Sequence, residues 1–297
     1  MSALLTELMV PFGYDYMLKA MWVSALVGAV CAFLSAYLML KGWSLMGDAL
    51  GHSIVPGVAA AYIIGAPFAV GAFFAGILAS LGMTFVKQHS RLREDAIIGL
   101  VFTTLFALGL LMASLWPSSV SIQTIVLGNI LAISDGDAMQ VAIIAAVSFA
   151  IMVFIWKDLM VTFFDETHAK SIGVNAGLLK IVFFTLLSAC TVAALQTVGA
   201  CLVIAMVVTP GATAYLLTDR FGRLVVIAIA LGAGTSFVGA YISFFVDGAT
   251  GGVIVTLQTV LFLLAFYFAP KHGVLAARRK RQAVVEAAAE PRAEAAA

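Results

Sequence analysis

The chain has 297 residues, of which 63% are hydrophobic and only 10% are charged, and its net charge is +1. Soluble domains contain about 45–50% apolar and about 25% charged residues, so this composition excludes an ordinary soluble protein. The three cysteines lie in apolar stretches without the spacing of a metal site and are interpreted as small buried hydrophobic residues.

Nine hydrophobic segments follow one another along the chain. They cover 17–40, 43–64, 68–86, 97–115, 138–156, 178–195, 199–217, 224–245 and 253–269. A membrane-spanning helix needs about 20 apolar residues, so the pattern predicts an all-α, polytopic transmembrane bundle. We expect eight or nine spans, because residues 1–16 or 43–64 could lie partly in the interface. Residues 117–134 predict a short re-entrant or interfacial helix.

The chain is predicted to have three parts: an interfacial N-terminal segment (1–16), a transmembrane domain (17–270) and a tail (271–297). The tail begins with a basic cluster at 278–281, which suits anionic lipid head groups, and continues as a low-complexity stretch whose role stays open. Within the bundle, small residues recur four positions apart, which favours close helix packing. The pairs are Gly28/Ala32, Ala72/Gly76 and Gly232/Ser236.

The basic residues predict the orientation of the bundle. With alternating spans, fifteen of the sixteen Lys and Arg residues fall on one side and only Lys19 falls on the other. Cytoplasmic loops carry the excess of Lys and Arg in membrane proteins. The N-terminus is therefore predicted to be outside and the C-terminus cytoplasmic.

Asp48 is the only acidic residue deep within a hydrophobic segment, and His52 follows it four positions later. This spacing places both side chains on one helix face, about 5–6 Å apart at Cβ. If the segment is helical, His52 lies about 16 Å beyond Lys41, near the middle of the membrane. Such groups cost at least about 2.5–3.5 kcal/mol there and need a partner. Carboxylate and imidazole together suit Mn²⁺, Fe²⁺ or Zn²⁺, whereas the alternative is a pair that only fixes helix packing.

Two prolines interrupt the interiors of hydrophobic segments, each followed by glycine: Pro56-Gly57 and Pro210-Gly211. Proline removes a backbone donor, and broken helices commonly mark transport sites. Both pairs are predicted to be helix kinks near a pathway.

The connection 158–177 is the longest on the predicted cytoplasmic side. Its aromatic, acidic and small residues suit docking into a groove on a cytoplasmic partner. The residues predicted to make this contact are Phe163, Phe164, Asp165, Glu166, Ala169 and Gly173. Ala169 and Gly173, four apart, predict a flat surface on a short helix. The alternative is an ordinary interfacial loop with Phe side chains in lipid.

The sequence contains no phosphate-binding loop and no His-Glu-x-x-His motif, so we expect no ATPase site and no enzyme. An intramembrane enzyme that uses His52 and Ser53 is disfavoured, because neighbouring helical side chains point about 100° apart. No permanently bound cofactor and no nucleic-acid partner are expected.

The block Lys-Gly-Trp-Ser-Leu-Met-Gly-Asp-Ala-Leu-Gly-His-Ser-Ile-Val-Pro-Gly at 41–57 resembles the signature of the manganese/iron/zinc permeases of ATP-binding cassette importers. The resemblance covers about residues 10–270. It includes Arg93-Glu94-Asp95, Leu127-Gly128-Asn129 and Thr209-Pro210-Gly211. The block is more similar to the manganese/iron branch than to the zinc branch.

The resemblance implies a multi-pass permease of the bacterial inner membrane that pairs with a second permease subunit, identical or paralogous. It also implies a cytoplasmic ATPase dimer and an extracytoplasmic metal-binding protein as partners. Asp48 and His52 match the intramembrane metal positions of the family, and the residues from Phe164 to Gly173 match its coupling helix. The rival hypothesis is a secondary metal-ion transporter that works alone.

Overall fold

The computed structural model of the chain describes residues 8–43, 46–66, 68–116, 130, 133–270, 273–276 and 278, with only the backbone described at 48, 68–69, 88, 94, 196–198, 200–202 and 204. Across these residues the fold is all-helical, as predicted. It comprises a 3₁₀ helix Val10–Gly13, α1 Asp15–Lys41, α2 Met46–Ser53, α3 Val55–Ile64, α4 Phe68–His89, α5 Glu94–Leu115, α6 Asp135–Phe164, α7 Glu166–Ser171, α8 Ala176–Val198, α9 Ala200–Leu217, α10 Phe221–Val246 and α11 Thr250–Phe268.

Each predicted hydrophobic segment is helical where it is described. Seven described helices are long and apolar enough to cross a bilayer, namely α1, α4, α5, α6, α8, α10 and α11. Two shorter apolar helical stretches, Ala49–Ile64 and Ala205–Leu217, correspond to the segments that contain Pro56 and Pro210. The total of eight or nine spans stays a prediction. The helix predicted at 117–134 and most of the tail at 271–297 lie outside the described residues.

Charged side chains gather at two opposite ends of the bundle. At one end, Lys41 and Lys87 both lie over the Trp43 ring, with Nζ 5.9 and 5.7 Å from its centroid. We call this the basic end. At the other end, Lys19 on α1 forms an ion pair with Asp135 at the start of α6. The grouping agrees with the predicted topology, and the assignment of the basic end to the cytoplasm stays a prediction.

Helix α1 lies at the centre of the bundle and packs closely against α10. A Cβ atom on Gly28 would lie 2.5 Å from the Gly232 carbonyl oxygen, and a Cβ on Gly232 would lie 2.5 Å from Ala32 Cβ. The small residues that the sequence singled out on α1 and α10 therefore meet each other. In lipid, such close backbone approach supplies much of the packing energy between helices.

The N-terminal segment packs on the end of the bundle opposite the basic end. The Tyr241 hydroxyl donates a hydrogen bond of 2.8 Å to the Leu8 carbonyl oxygen, and the Phe12 ring lies 5.6 Å from the Tyr241 ring. Tyr14 contacts Phe244 in the same cluster. Aromatic side chains concentrate at membrane–water interfaces, so this packing agrees with an interfacial position for the segment.

Candidate functional site

The two residues of the predicted metal-ligating pair lie on one short helix in the first half of the segment 43–64. Asp48 and His52 both belong to α2, which runs from Met46 to Ser53, so the helical register needed for a shared face is present. The side chain of Asp48 lies outside the described part of the structure. His52 is partly buried.

The His52 imidazole packs against two aromatic rings of α5. Its centroid lies 5.5 Å from that of Phe102 and 5.4 Å from that of Phe106. Phe102 and Phe106 are one helical turn apart, so they form a continuous aromatic wall beside the imidazole. The two Phe rings restrict the orientation of the His52 imidazole. The imidazole is neither enclosed in the core nor fully exposed. This aromatic wall was not predicted from the sequence, although the four-residue spacing of the two Phe residues was a usable signal.

The helix breaks directly after this pair. α2 ends at Ser53, Ile54 forms a turn, and α3 begins at Val55 with Pro56 in its first turn. Proline is well suited to this position because the first N–H groups of a helix have no partner within it. The break precedes Pro56 by two residues, because proline has no N–H to donate to the carbonyl in the preceding helical turn.

Glycines on α4 and α5 hold the broken segment in place. A Cβ atom on Gly109 of α5 would lie 2.7 Å from Val55 Cγ1 and 2.8 Å from the Pro56 nitrogen. On the other side, the Gly57 and Gly71 backbones are in direct contact, so α3 lies against α4 with no room for a side chain. Because both contacts involve backbone atoms, the position of the break depends on small residues at 57, 71 and 109.

The second proline is accommodated differently. α9 continues through Pro210 from Ala200 to Leu217, and the contact with α1 is made through Ser35. The Ser35 hydroxyl donates to the Val208 carbonyl oxygen at 3.1 Å and accepts from the Gly211 N–H at 3.0 Å. A side chain at Gly211 would collide with the Ser35 backbone, so α1 and α9 are locked together at this point.

The predicted docking connection forms a short capped helix at the basic end. Asp165 caps α7 by accepting hydrogen bonds from the N–H groups of Thr167 and His168 at 2.9 and 3.0 Å. The chain leaves the helix through Gly173, whose φ of +84° is the left-handed conformation that glycine adopts readily. Phe164 is 80% exposed just before the helix.

One detail of the predicted docking surface is wrong. Ala169 is fully buried, and Gly173 lies beyond the last helical residue, Ser171, so the two do not form a flat exposed surface. Phe163 is also buried, where it packs against Phe183 and Trp43. The reason is that one face of α7 packs onto α6 and α8, and a small residue is needed at that contact.

Glu166 ties α7 to the bundle. Its carboxylate pairs with Lys170 one turn along α7, at 3.0 Å, and with Lys180 in the first turns of α8. The hydrogen bond from Lys180 is the main cause that lowers the pKa of Glu166 from 4.5 to about 2, and Lys170 adds to it while burial acts in the opposite direction. The link to Lys180, fourteen residues away, was not predicted from the sequence.

Among the residues whose side chains are described, no group of three or more His, Cys, Asp or Glu side chains lies close enough to hold a metal ion. In the described part of the chain, the site therefore consists of the α2 face that carries His52, the helix break and the aromatic wall.

Comparison with known proteins identifies the family. Residues 13–269 match the ABC 3 transport family. The chelated iron transport system membrane protein YfeC of Yersinia pestis is 71% identical over 93% of this chain and 94% of its own length. The manganese transport system membrane protein MntB of Synechocystis is 45% identical over 91% of this chain and 89% of its own. Among solved structures, that of PsaBC from Streptococcus pneumoniae in complex with Fab has a TM-score of 0.82 at 32% identity, over 92% of this chain and 99% of that one.

The all-helical bundle with its membrane-length helices and broken central segment defines a multi-pass membrane permease. The chain belongs to the ABC 3 transport family. It is a permease subunit of an ATP-binding cassette transport system in the bacterial inner membrane, and the resemblance stated from residues 41–57 is confirmed.

Proposed function

We propose that this permease imports a divalent transition metal ion, Mn²⁺ or Fe²⁺, with Zn²⁺ as a third candidate, and that Asp48 and His52 form its transit site. The observation that carries the proposal is a histidine on the same helix face as the only carboxylate deep within a hydrophobic segment of the sequence, directly before a helix break. The names of the iron and manganese transport relatives support this class of substrate.

The chemistry of the pair suits an ion that must leave again. A carboxylate and an imidazole bind Mn²⁺, Fe²⁺ and Zn²⁺, and two ligands alone hold an ion weakly. A second permease subunit around a two-fold axis would bring the same two ligands from the facing side and complete a transient site. The permease then contributes only side chains to this site, and the metal ion is the transported substrate.

The local packing supports a controlled orientation of the ligand. Phe102 and Phe106 limit the rotation of the imidazole, and Gly109 places the start of α3 firmly against α5. Backbone carbonyls near a helix break are tolerated at membrane depth where they line a cavity. The break at Ile54 therefore provides both polar groups and a point at which α2 and α3 can move separately.

We assign α7 as the coupling helix that contacts a separate cytoplasmic ATPase, with a solute-binding protein delivering metal at the opposite face. Phe164 and Ile172 are exposed at the two ends of α7, as expected for apolar groups that enter a groove. The Glu166–Lys180 ion pair connects α7 directly to α8, so a displacement of α7 is passed into the bundle.

The test is metal uptake in cells or proteoliposomes that contain the complete importer. Asp48→Ala and His52→Ala should each reduce Mn²⁺ and Fe²⁺ uptake to background while membrane insertion and subunit assembly are unchanged. Asp137→Ala and His89→Ala are matched controls, because both residues are exposed at the ends of helices and should leave uptake intact.

Uptake that survives both substitutions would overturn the transit site. Metal flux through the permease alone, in liposomes without any ATPase, would instead favour the secondary transporter. Uptake that requires ATP and is lost in both variants supports the proposal.

A further inference from the structure

A cavity of about 360 Å³ lies at the basic end, between α2, α4, α5 and α8, and we call it the basic-end cavity. Polar groups line its rim: the Trp43 indole, the ammonium groups of Lys87 and Lys180, and the Glu166 carboxylate. The described residues that line it do not include Asp48 or His52. Neither the proposed metal transit site nor the proposed contact with an ATPase explains why a cavity is present here.

The rim has an excess of positive charge. Of the described residues that line the cavity, Lys87 and Lys180 are basic and Glu166 is acidic. Lys87 lies over one side of Trp43 within 5.7 Å of the ring centroid, and Lys41 lies 5.9 Å from it. Glu166 is shared between two lysines, so one carboxylate offsets only part of their charge. An anion is the expected occupant of such a rim.

Below the rim the lining is apolar. Met46, Met83, Ile97 and Phe184 form the floor, and all four side chains are buried. The volume corresponds to about twelve water molecules, but an apolar floor offers water no hydrogen-bond partners. A ligand that combines an anionic group with hydrocarbon would satisfy the rim and the floor together, whereas a purely polar anion would leave the floor unused.

The position of the cavity indicates that this ligand comes from the lipid bilayer. Its walls are the ends of membrane-length helices, and Ile181 on its edge is 53% exposed on the side of α8. Basic pockets between transmembrane helices at the cytoplasmic surface are a known type of site for anionic lipid head groups, and each Lys near the surface contributes about 1 kcal/mol. An interfacial Trp beside two Lys residues is typical of this depth in the bilayer.

We propose that the basic-end cavity binds an anionic phospholipid of the adjacent leaflet, with the phosphate at Lys87 and Lys180 and the first methylene groups of the acyl chains over Met46 and Phe184. Because Lys180 also holds Glu166, the bound lipid lies next to the attachment point of α7. The binding site itself does not depend on which ion is transported or on the role of Asp48 and His52.

The test is thermal stabilisation of the full-length permease in neutral detergent, titrated with dioctanoyl phosphatidylglycerol. Stabilisation by this lipid, with little effect from dioctanoyl phosphatidylcholine, is expected. Lys87→Gln and Lys180→Gln should each raise the half-saturating concentration about tenfold, as expected for the loss of one hydrogen bond between charged groups. Glu166→Gln removes the competing carboxylate and should lower that concentration.

Lys157→Gln is the matched control, because Lys157 also lies over a tryptophan, 5.6 Å from the Trp156 ring centroid, but outside the cavity. The Lys157→Gln variant should have the same half-saturating lipid concentration as the unaltered chain. Equal stabilisation by both lipids, or a titration that Lys87→Gln and Lys180→Gln leave unchanged, would overturn the proposal. Equal stabilisation by glycerol phosphate would also overturn it, since the occupant would then be a soluble anion.

Discussion

Two regions of the bundle are packed in different ways. In the most apolar stretch of each helix, 78% of the residues are buried in α1 and 61% in α8, compared with 33% in α4 and 17% in α5. In the first region α1 also meets α10 through the Gly28–Gly232 backbone contact. The second region contains the broken segment α2–α3, and a groove of about 500 Å³ with an almost entirely apolar lining runs between α3, α4 and α5.

This difference indicates that the two regions have different roles. We interpret the α1–α8–α10 region as a rigid frame, because α1 and α8 are largely buried and the contact of α1 with α10 leaves no room for a side chain. The α2–α5 region carries the candidate transit site, and the most apolar stretches of its long helices α4 and α5 are mostly exposed. A site through which an ion must enter and leave is better placed at such an edge than in a sealed core, where displacement costs packing.

The largest effect is expected from a side chain forced into the frame. Gly232→Leu would place Cβ 2.5 Å from Ala32 Cβ and against the Gly28 carbonyl, so α1 and α10 must separate. Overpacking typically costs about 1–3 kcal/mol, and a contact between two backbones should exceed that range. We expect low yield and a clearly reduced midpoint of thermal unfolding. Gly234→Leu, on the same helix with open space around it, should be tolerated. Equal behaviour of the two variants would contradict the rigid-frame interpretation.

A smaller effect on folding, but a strong one on transport, is expected at the helix break. Gly109→Val would press on Val55 and Pro56 and displace the start of α3, at a cost of about 1–3 kcal/mol. Metal uptake by the complete importer should fall more than the amount of inserted protein. Gly99→Val serves as the control, since nothing lies within 4 Å of its added atom. Unchanged uptake in Gly109→Val would show that the position of the break is not important.

The next effect concerns the contact between α1 and α9. Ser35→Ala removes one hydrogen bond to the Val208 carbonyl and one from the Gly211 N–H, and each typically contributes about 0.5–1.5 kcal/mol. Thermal unfolding of the purified permease should show a moderate loss. Ser24→Ala should be nearly neutral, because the buried Ser24 hydroxyl has no hydrogen-bond partner among the described residues. A larger loss for Ser24→Ala than for Ser35→Ala would refute this account of the second proline.

The smallest effect on stability is expected at α7, where the Glu166 ion pairs with Lys170 and Lys180 lie near the protein surface. The pKa of Glu166 is lowered from 4.5 to about 2, so its contribution is fully present above about pH 4.5 and is lost as the pH falls toward about 2. Glu166→Gln should therefore flatten the acid limb of the unfolding midpoint plotted against pH. At neutral pH, where this contribution is fully present, the variant should be modestly less stable than the unaltered chain and should show reduced metal-stimulated ATPase activity. Lys170→Gln should have a weaker effect than Lys180→Gln, because the Lys170 side chain is 64% exposed and that of Lys180 only 21%. An acid limb that Glu166→Gln leaves unchanged would refute the role of the ion pair.

Much of the fold could be predicted because the bilayer makes composition informative. A stretch of apolar residues without charge has to become a helix in hydrocarbon, since every backbone polar group must be satisfied within the segment. That Gly28, Ala32, Gly232 and Ser236 lie at close helix contacts was also accessible, because only small residues let two helices approach closely. The break after Ser53 followed from the restriction that Pro56 places on the residues before it.

Other features depended on residues far apart in the chain. The contact of His52 with Phe102 and Phe106, the bridge from Glu166 to Lys180 and the burial of Ala169 all arise from which helix faces which. Helical periodicity places a side chain on a face but does not say whether that face meets lipid, water or another helix.

The amino-acid sequence by itself determined that this chain is a helical membrane protein and where most of its helices lie, and it placed a carboxylate and an imidazole four residues apart in one hydrophobic segment. These are properties of consecutive residues, and they follow from hydrophobicity and from a rise of about 1.5 Å per residue. The tertiary structure decided which small residues meet, how each proline is accommodated and which lysines surround the basic-end cavity. Those properties depend on close packing between distant segments, which is fixed only when all the helices are in place.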